Sequence, residues 1–569
     1  MRVDQKAEGP RQSMSWLHTW ASLILGWLLY AIFVTGTLSF FQNEISTWMK
    51  PETHQSIPTQ SQVQQMQVAL NYLQKNHPDA GSWNIQLPNS RQTTTEVTIR
   101  AVGEDPKARR GGTRITLDSA TGELIEPRDT RGGGFLYRFH FELYGLPRLW
   151  TRWLVGIATM FMLVAIVSGI ITHKKIFKDF FTFRSGKGQR SWLDAHNATA
   201  VFALPFHLMI TFSGLLLLMF MFMPWGINQA YENRQQFLRD QQASMIEQPQ
   251  KAEVVQHKGE RADHGERGQQ RGEHAQGRGG ERPQPELRPA PLTDLAPIMV
   301  MVQQQWKDNP IASINIISPN TDQAKIELRA LRAESVAHRN VYATINYNGV
   351  TGQDETDKNI RIKNPSIPSD IYNVVTVLHE ARGLDLALRW LLFCSGILGT
   401  LMVATGLILW CVKRAPQQQK QGYKSFGFRL VEVLNIAAII GLPLACAAYF
   451  YANRFIPADV EMRLNWEIRS FFVVWLLTLI YAIFRTHRQA WLDLLLLAAL
   501  AFALLPLVNL ITGGQALWNS IAQGQWMIAS VDLAMWVMAV IFYFAYDKVQ
   551  KHQGLPNKKM KAPVQEAKA

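Results

Sequence analysis

Cysteine is scarce in this chain, three in 569 residues, and all three (Cys394, Cys411, Cys446) fall in apolar stretches. That excludes a disulfide framework and a CxxC redox pair. Acidic residues are also short, 44 against 58 Lys and Arg, for a formal charge of +14. The cations collect in short loops between apolar runs, so the excess implies no nucleic-acid groove and no nucleic-acid partner. The first apolar run lacks the short hydrophobic region and small-residue cleavage site of a signal peptide, and it reads as a retained helix. No GxGxxG follows a strand, and the basic loops are too short to fold a nicotinamide-binding domain.

What the chain does have is segregation. Mean hydropathy is close to zero, yet runs of about twenty apolar residues, enough to cross ~30 Å of hydrocarbon, alternate with polar stretches. Eight spans are predicted, at 16–41, 150–172, 197–223, 386–412, 430–451, 468–485, 491–511 and 525–546. The basic loop at 173–196, the loop KRAPQQQKQGYK, Arg485 and Arg488, and the tail 547–569 all fall on one side with residues 1–15. The positive-inside rule makes that side cytoplasmic, with both termini there, in a multi-pass bacterial inner-membrane protein that contacts lipid. The polar segments 42–148 and 224–385 then lie outside.

Each polar segment is expected to hold a small α+β module. VQQMQVALNYLQKNHP has helical period and is followed by the alternating runs TTTEVTIRAV and TRITLDSATGELI. The second segment repeats the scheme over 292–385, with LAPIMVMVQQQWKDNP, then ASINIISP, AKIELRAL and VYATINYNGVTGQDE. Between them, 241–291 is rich in Gln, Gly, Arg, Glu and Pro, cannot bury enough apolar surface to order, and is expected to be disordered. His257, His264 and His274 lie there and read as part of a solvated linker rather than a metal site. The fold class is therefore a polytopic all-α membrane protein of about eight transmembrane helices with two periplasmic α+β modules.

The membrane part is duplicated. His18 and His196 each stand eighteen residues before the glycine of a hydroxyl-glycine pair, Thr35-Gly36 and Ser213-Gly214. His140 precedes Arg152-Trp153-Leu154 as His379 precedes Arg389-Trp390-Leu391. Histidine within a bilayer is costly and marks function; it ligates heme, passes protons or satisfies a neighbouring helix. On a straight helix His196 and His207 would differ by only ~20° with a rise of ~16 Å, facing one way at two depths. His18, His173 and His196 form a cytoplasmic tier, His207 a middle position, and His140 and His379 an outer tier. His140 is expected at or beyond the outer headgroups. His487, between Arg485 and Arg488, is expected to face water. In 430–546, the C-terminal four-helix membrane region, Glu432 lies near the start of span five, and Arg454, Arg463, Glu467 and Arg469 cluster in the outer turn around span six; with Asp532 on span eight they read as interfacial pairs that fix helix register, with a polar path for quinone or protons as the alternative.

At SWLHTWASLILGWLLYAIFVTGTLSFF, FHFELY, GIITHKK and DAHNATAVFALPFHLMITFSG the chain resembles the PepSY-associated transmembrane family of iron-regulated inner-membrane proteins, over about residues 14–412. The resemblance implies that the outer modules are PepSY-like, with DSATGEL (118–124) as their shared strand-turn. It implies a ferrisiderophore reductase carrying heme b, two hemes with bis-His ligation, that reduces a ferric siderophore or another Fe(III) chelate. The ligand candidates carried over are His140, His173, His196, His207 and His379, with His18 behind them. The expected pairings are His173 with His196, and His207 with His140 or His379. Electrons would come from a separate donor, quinol or a cytoplasmic reductase. Two other readings remain open: a PepSY binding or regulatory protein without redox activity, and a siderophore or metal transporter built from repeats.

Overall fold

The computed structural model describes residues 9–552, except 109–110, 174–176, 178–179, 181–182, 185, 230, 233–235, 238–245, 248–286, 340, 358–360 and 363–365. Most of the expected disordered insert, with its three histidines, and residues 553–569 of the tail lie outside the described residues.

Six helices are long and apolar enough to cross a membrane, and two bent pairs raise the number to eight. Span one is the pair Pro10–Ile24 and Gly26–Ser39; span two is Arg148–Thr172; span three is the pair Gln189–Phe202 and Leu204–Leu217; span four is Leu386–Gln421. Spans five to eight are Phe426–Phe455, Arg463–Phe484, His487–Ile511 and Trp526–Lys551. The bends of 64° and 67° correct the picture of straight first and third helices. Both fall seven residues after a histidine, at Leu25 after His18 and at Ala203 after His196. Gly26 permits the first, since a Cβ there would meet Leu407 Cδ2 at 2.7 Å. Pro205, at the start of the second segment, has no N–H to continue the ladder and permits the other.

The four N-terminal spans obey their duplication. The first segment of span one packs on span two, as the first segment of span three packs on span four. A short helix precedes each even span, Gly133–Glu142 and Ile367–Glu380, and packs on the second segment of spans one and three respectively. Gly145 at φ 85° and Pro147 separate Gly133–Glu142 from span two, so this helix folds back into the bundle. His140 accordingly sits among the helices, not out at the headgroups.

The polar segments also differ from two separate modules: they merge into one antiparallel sheet. Strands β1 (Ser82–Gln86), β2 (Thr95–Arg100), β3 (Thr113–Leu117) and β4 (Leu124–Ile125) come from the first segment. A two-residue strand β5 (Ile246–Glu247) pairs separately with β9 (Arg361–Ile362), while β6 (Ile311–Ile317), β7 (Lys325–Ala333) and β8 (Tyr342–Asn348) complete the large sheet. Its order is β4-β3-β2-β1-β6-β7-β8. The seam is β1 against β6, from Ser82 opposite Ile317 to Gln86 opposite Ser313. Each half alone would leave an open edge and a thin core; fusion removes both liabilities. Trp83, Ile85, Ile314 and Ile316 from the seam share one core with Met66 and Leu73 of helix Gln62–Asn76 and with Met299 and Val302 of helix Leu295–Trp306.

The turn signatures match bond for bond. Asp118 Oδ1 accepts from Ala120 and Thr121 N–H at 2.8 Å each, and Asn348 Oδ1 accepts from Val350 and Thr351 N–H at 3.0 Å each. Both turns close on a glycine with positive φ, Gly122 at 75° and Gly352 at 71°.

Candidate functional site

The bends and short helices bring four histidines into two facing pairs. His140 and His379 have ring centroids 6.1 Å apart, and His18 and His196 have theirs 6.3 Å apart. Each pair unites repeat-equivalent residues. The expected partnership of His173 with His196 is not formed: His173 caps span two and meets Asn197, Nε2 to Nδ2 at 3.1 Å. His207 also pairs with neither outer histidine.

Three of the four paired rings are held by one device. His18 Nδ1 lies 2.8 Å from the Ala165 carbonyl, His140 Nδ1 2.8 Å from Ile32 and His196 Nδ1 2.9 Å from Met402. A carbonyl only accepts, so Nδ1 carries the proton and the neutral ring keeps its lone pair on Nε2. His379 Nδ1 instead lies 2.6 Å from Ser213 Oγ. Among the described residues Nε2 of none of the four takes a hydrogen bond.

Beside each ring stands a glycine on the neighbouring helix. A Cβ at Gly36 would meet His140 Cε1 at 2.6 Å, at Gly406 His196 Cε1 at 3.1 Å, at Gly169 His18 Cε1 at 3.2 Å, and at Gly214 His379 Cε1 at 3.5 Å. A hydroxyl residue precedes every one of these glycines: Thr35, Thr405, Ser168 and Ser213. Thr35-Gly36 and Ser213-Gly214 stand out in the sequence because they follow a histidine at fixed spacing. Ser168-Gly169 and Thr405-Gly406 are the same signal on the even spans, unread because no histidine precedes them at that spacing.

Two cavities of about 280 Å³ each open beside the pairs. The one nearer the polar domain is lined by His140 and His379, with Arg152, Arg382 and Tyr137 also in its wall. Burial holds the Tyr137 phenol above its usual range, against the pull of Arg382, whose guanidinium lies over its ring. The other, nearer the basic loops, is lined by His18, His173, His196 and His207, with Lys413 and Arg414 also in its wall. Leu29 and Met162 face both cavities, so the two lie back to back. His207 stands in this region fully buried, its ring edge toward Phe33. His196 and His207 thus line the same cavity, but from the two arms of a bent helix rather than from one straight face.

His487 does not simply face water; it is half-buried, with Nε2 3.9 Å from Glu432 Oε1. Among the described residues no group of three or more His, Cys, Asp and Glu is placed to hold a bare metal ion. A separation near 6 Å also suits two rings in plain edge contact. What distinguishes these pairs is an Nε2 without a hydrogen bond on each ring at the wall of a cavity: two imidazoles so held can ligate one metal between them.

A family model described as the PepSY-associated TM region matches residues 15–413, which is spans one to four together with the polar domain. No curated protein matches the chain.

Proposed function

Because the chain belongs to the PepSY-associated TM family, we propose that this multi-pass membrane protein carries two b-type hemes and moves electrons toward the polar domain to reduce a ferric chelate, a ferrisiderophore, in iron uptake. His18 and His196 would ligate one heme, and His140 and His379 the other. The carrying observation is that all four rings are tied through Nδ1 to a neighbouring helix, three to a carbonyl and His379 to Ser213 Oγ, with Nε2 carrying no hydrogen bond among the described residues. Bonds of about 2 Å from a metal to two opposed imidazoles put the ring centres about 6 Å apart, as both pairs are. Among the described residues no further ligand side chain converges on either pair, so the two imidazoles would suit a metal that brings its remaining ligands with it, as heme iron does. When bound, heme supplies a one-electron Fe(III)/Fe(II) couple.

The chain's own residues do the rest. The Nδ1 bonds fix tautomer and ring plane and raise the basicity of Nε2. Gly36, Gly169, Gly214 and Gly406 let the rings lie against helix backbone. Arg152 and Arg382 on one side, Lys413 and Arg414 on the other, provide cations for propionate carboxylates. His173 and His207 are left out of ligation. The apolar walls keep the sites dry, and the basic loops orient the chain with the polar domain in the periplasm. There the PepSY-like domain and the adjoining helix ends would receive the chelate, whose iron, once reduced, binds its hard oxygen donors less well and leaves. Electrons would enter from quinol or a separate reductase.

A reduced-minus-oxidised absorption spectrum of the detergent-purified protein, with a pyridine hemochrome count, tests the reading. Sharp low-spin b-type bands and two hemes per chain are expected, falling to one in either His196→Ala or His379→Ala. A colourless protein sinks it.

A further inference from the structure

One of the four histidine anchors breaks the pattern of the other three. At all four positions the hydroxyl bonds back to its own helix, at 2.6 to 2.7 Å to the carbonyl four residues before it and less closely to the carbonyl three before. Thr35 Oγ1 donates to Ile32 at 3.4 Å, Ser168 Oγ to Ala165 at 3.2 Å, Thr405 Oγ1 to Met402 at 3.0 Å and Ser213 Oγ to Ile210 at 3.1 Å. In the first three that same carbonyl receives the histidine Nδ1–H. In the fourth the Ile210 carbonyl is still within reach of the ring, but it shares Nδ1 with the hydroxyl, which lies closest: His379 Nδ1 reaches Ser213 Oγ at 2.6 Å, and that hydroxyl is 2.7 Å from the Met209 carbonyl. Thr405 Oγ1 stays 3.4 Å from His196 Nδ1, a secondary contact beside the direct carbonyl bond.

The difference has an electronic consequence. An axial imidazole whose N–H points at a helix carbonyl, a strong acceptor, takes on more imidazolate character and donates more to the metal, which favours Fe(III). A hydroxyl is the weaker acceptor, and Ser213 can donate its own proton to Met209. His379 is therefore the least basic of the four ligands. We infer that Ser213 is a positioning residue for His379, and that its hydroxyl makes the His140–His379 site the higher in potential of the two. This rests on the heme reading above. It gives the duplicated bundle a direction, downhill from the basic-loop side to the polar-domain side, which two identical sites would lack.

The test is a potentiometric titration of the full chain in detergent, followed by visible absorption, on wild type, Ser213→Ala, Ser213→Thr and Thr405→Ala. Heme is counted by hemochrome first, so a protein without two hemes fails the functional reading itself and is told apart from a failure of this inference. With two hemes present, Ser213→Ala should leave the Ile210 carbonyl as the acceptor and move the higher-potential wave down toward the lower one, which stays in place. Ser213→Thr keeps the hydroxyl and should hold both waves, and Thr405→Ala should move neither. Waves unchanged in Ser213→Ala, an upward shift, or a shift of the lower wave would each overturn the inference.

Discussion

Spans one to four and spans five to eight both bury polar side chains in a membrane-spanning bundle, and they do it to opposite ends. In the first region the paired imidazoles are each tied by one nitrogen and carry no hydrogen bond on the other, beside a cavity. In the second the buried groups are charged and held in hydrogen-bond networks, with a direct ion pair between Arg463 and Glu467. Arg463 bonds Glu467 and the Asn453 carbonyl, and reaches the Asp129 carbonyl at 2.9 Å. Glu467 also accepts from Asn453 Nδ2 at 2.8 Å and Thr130 Oγ1 at 2.6 Å. Arg454 holds Asn509 Oδ1 at 2.6 Å and lies over the Trp48 ring, whose Nε1 donates to Asp532 at 2.7 Å. These networks lock the residues around Trp48 and Thr130 to the C-terminal spans. The family match ends at residue 413, before span five. The C-terminal spans nevertheless form the wall behind the helix that carries His140: Phe135 packs on Tyr449 and Phe471, and Tyr449 Oη donates to the Gly132 carbonyl at 3.1 Å. One region keeps a nitrogen of each paired ring open; the other ties its charged groups across to the neighbouring elements.

The largest effect expected of breaking that contrast is in the closed region. Glu467→Ala leaves the guanidinium of Arg463 buried without its carboxylate, and losing one partner of a buried pair costs about 3–5 kcal/mol. Thermal unfolding in detergent should show a far larger loss than His196→Ala, which removes a neutral ring from beside a cavity. Equal losses would dissolve the distinction. Next come the glycines. A methyl at Gly36 collides with His140, and overpacking of this kind costs about 1–3 kcal/mol, so Gly36→Ala should empty the His140–His379 site while sparing the other. Gly406→Ala, at 3.1 Å from His196, should weaken its site less. At Gly214 the contact is an ordinary 3.5 Å, so the variant should keep both sites and gain about 0.5–1 kcal/mol of helix stability. The order of heme retention, Gly214 above Gly406 above Gly36, is the check.

The duplication was legible because a histidine and a hydroxyl-glycine pair at fixed spacing are local features, and so were the spans, since length and hydropathy are local too. Which histidines meet was not. That depends on the bends at Leu25 and Ala203, set by Gly26 against Leu407 and by Pro205, and on helix Gly133–Glu142 turning back at Gly145. A continuous helix from His140 to His173 would have put His140 outside the bilayer. The sheet was hidden for a similar reason: β1 and β6 each read as a strand, but their pairing links residues more than two hundred positions apart, and nothing in the alternation of either names its partner.

His54 offers a smaller effect, read through pH. It is fully buried; Nε2 donates to the Thr47 carbonyl at 3.0 Å and Nδ1 accepts from the Gln515 N–H at 3.0 Å. Burial first, then Arg454, pushes its pKa down to about 3. Above pH 6.5 neither folded nor unfolded chain binds this proton. As pH falls from 6.5 toward 3 the unfolded chain takes it up and the folded chain does not, so stability is lost, by about 2 kcal/mol at pH 5. Unfolding measured at pH 7 and pH 5 should show this drop, and His54→Gln, less stable at pH 7, should lose less on acidification. An equal drop in the variant would move the effect elsewhere.

The smallest effect belongs to a contact that looks structural and is not. Lys107 Nζ reaches Glu327 Oε2 at 2.9 Å, joining the two halves of the sheet across its seam, but the lysine side chain is 66% exposed. An exposed pair gains little Coulomb energy in water and gives up side-chain freedom, for a net of about 0–1 kcal/mol. What joins the halves is the β1–β6 ladder and the core that Trp83 and Ile314 share across it. Lys107→Ala should therefore leave the melting temperature nearly unchanged, whereas Trp83→Ala, which opens a cavity in that core, should cost about 3–5 kcal/mol. If removing the surface pair instead loosened the domain, the two halves would be held as docked modules after all, and the single-sheet description would have to yield.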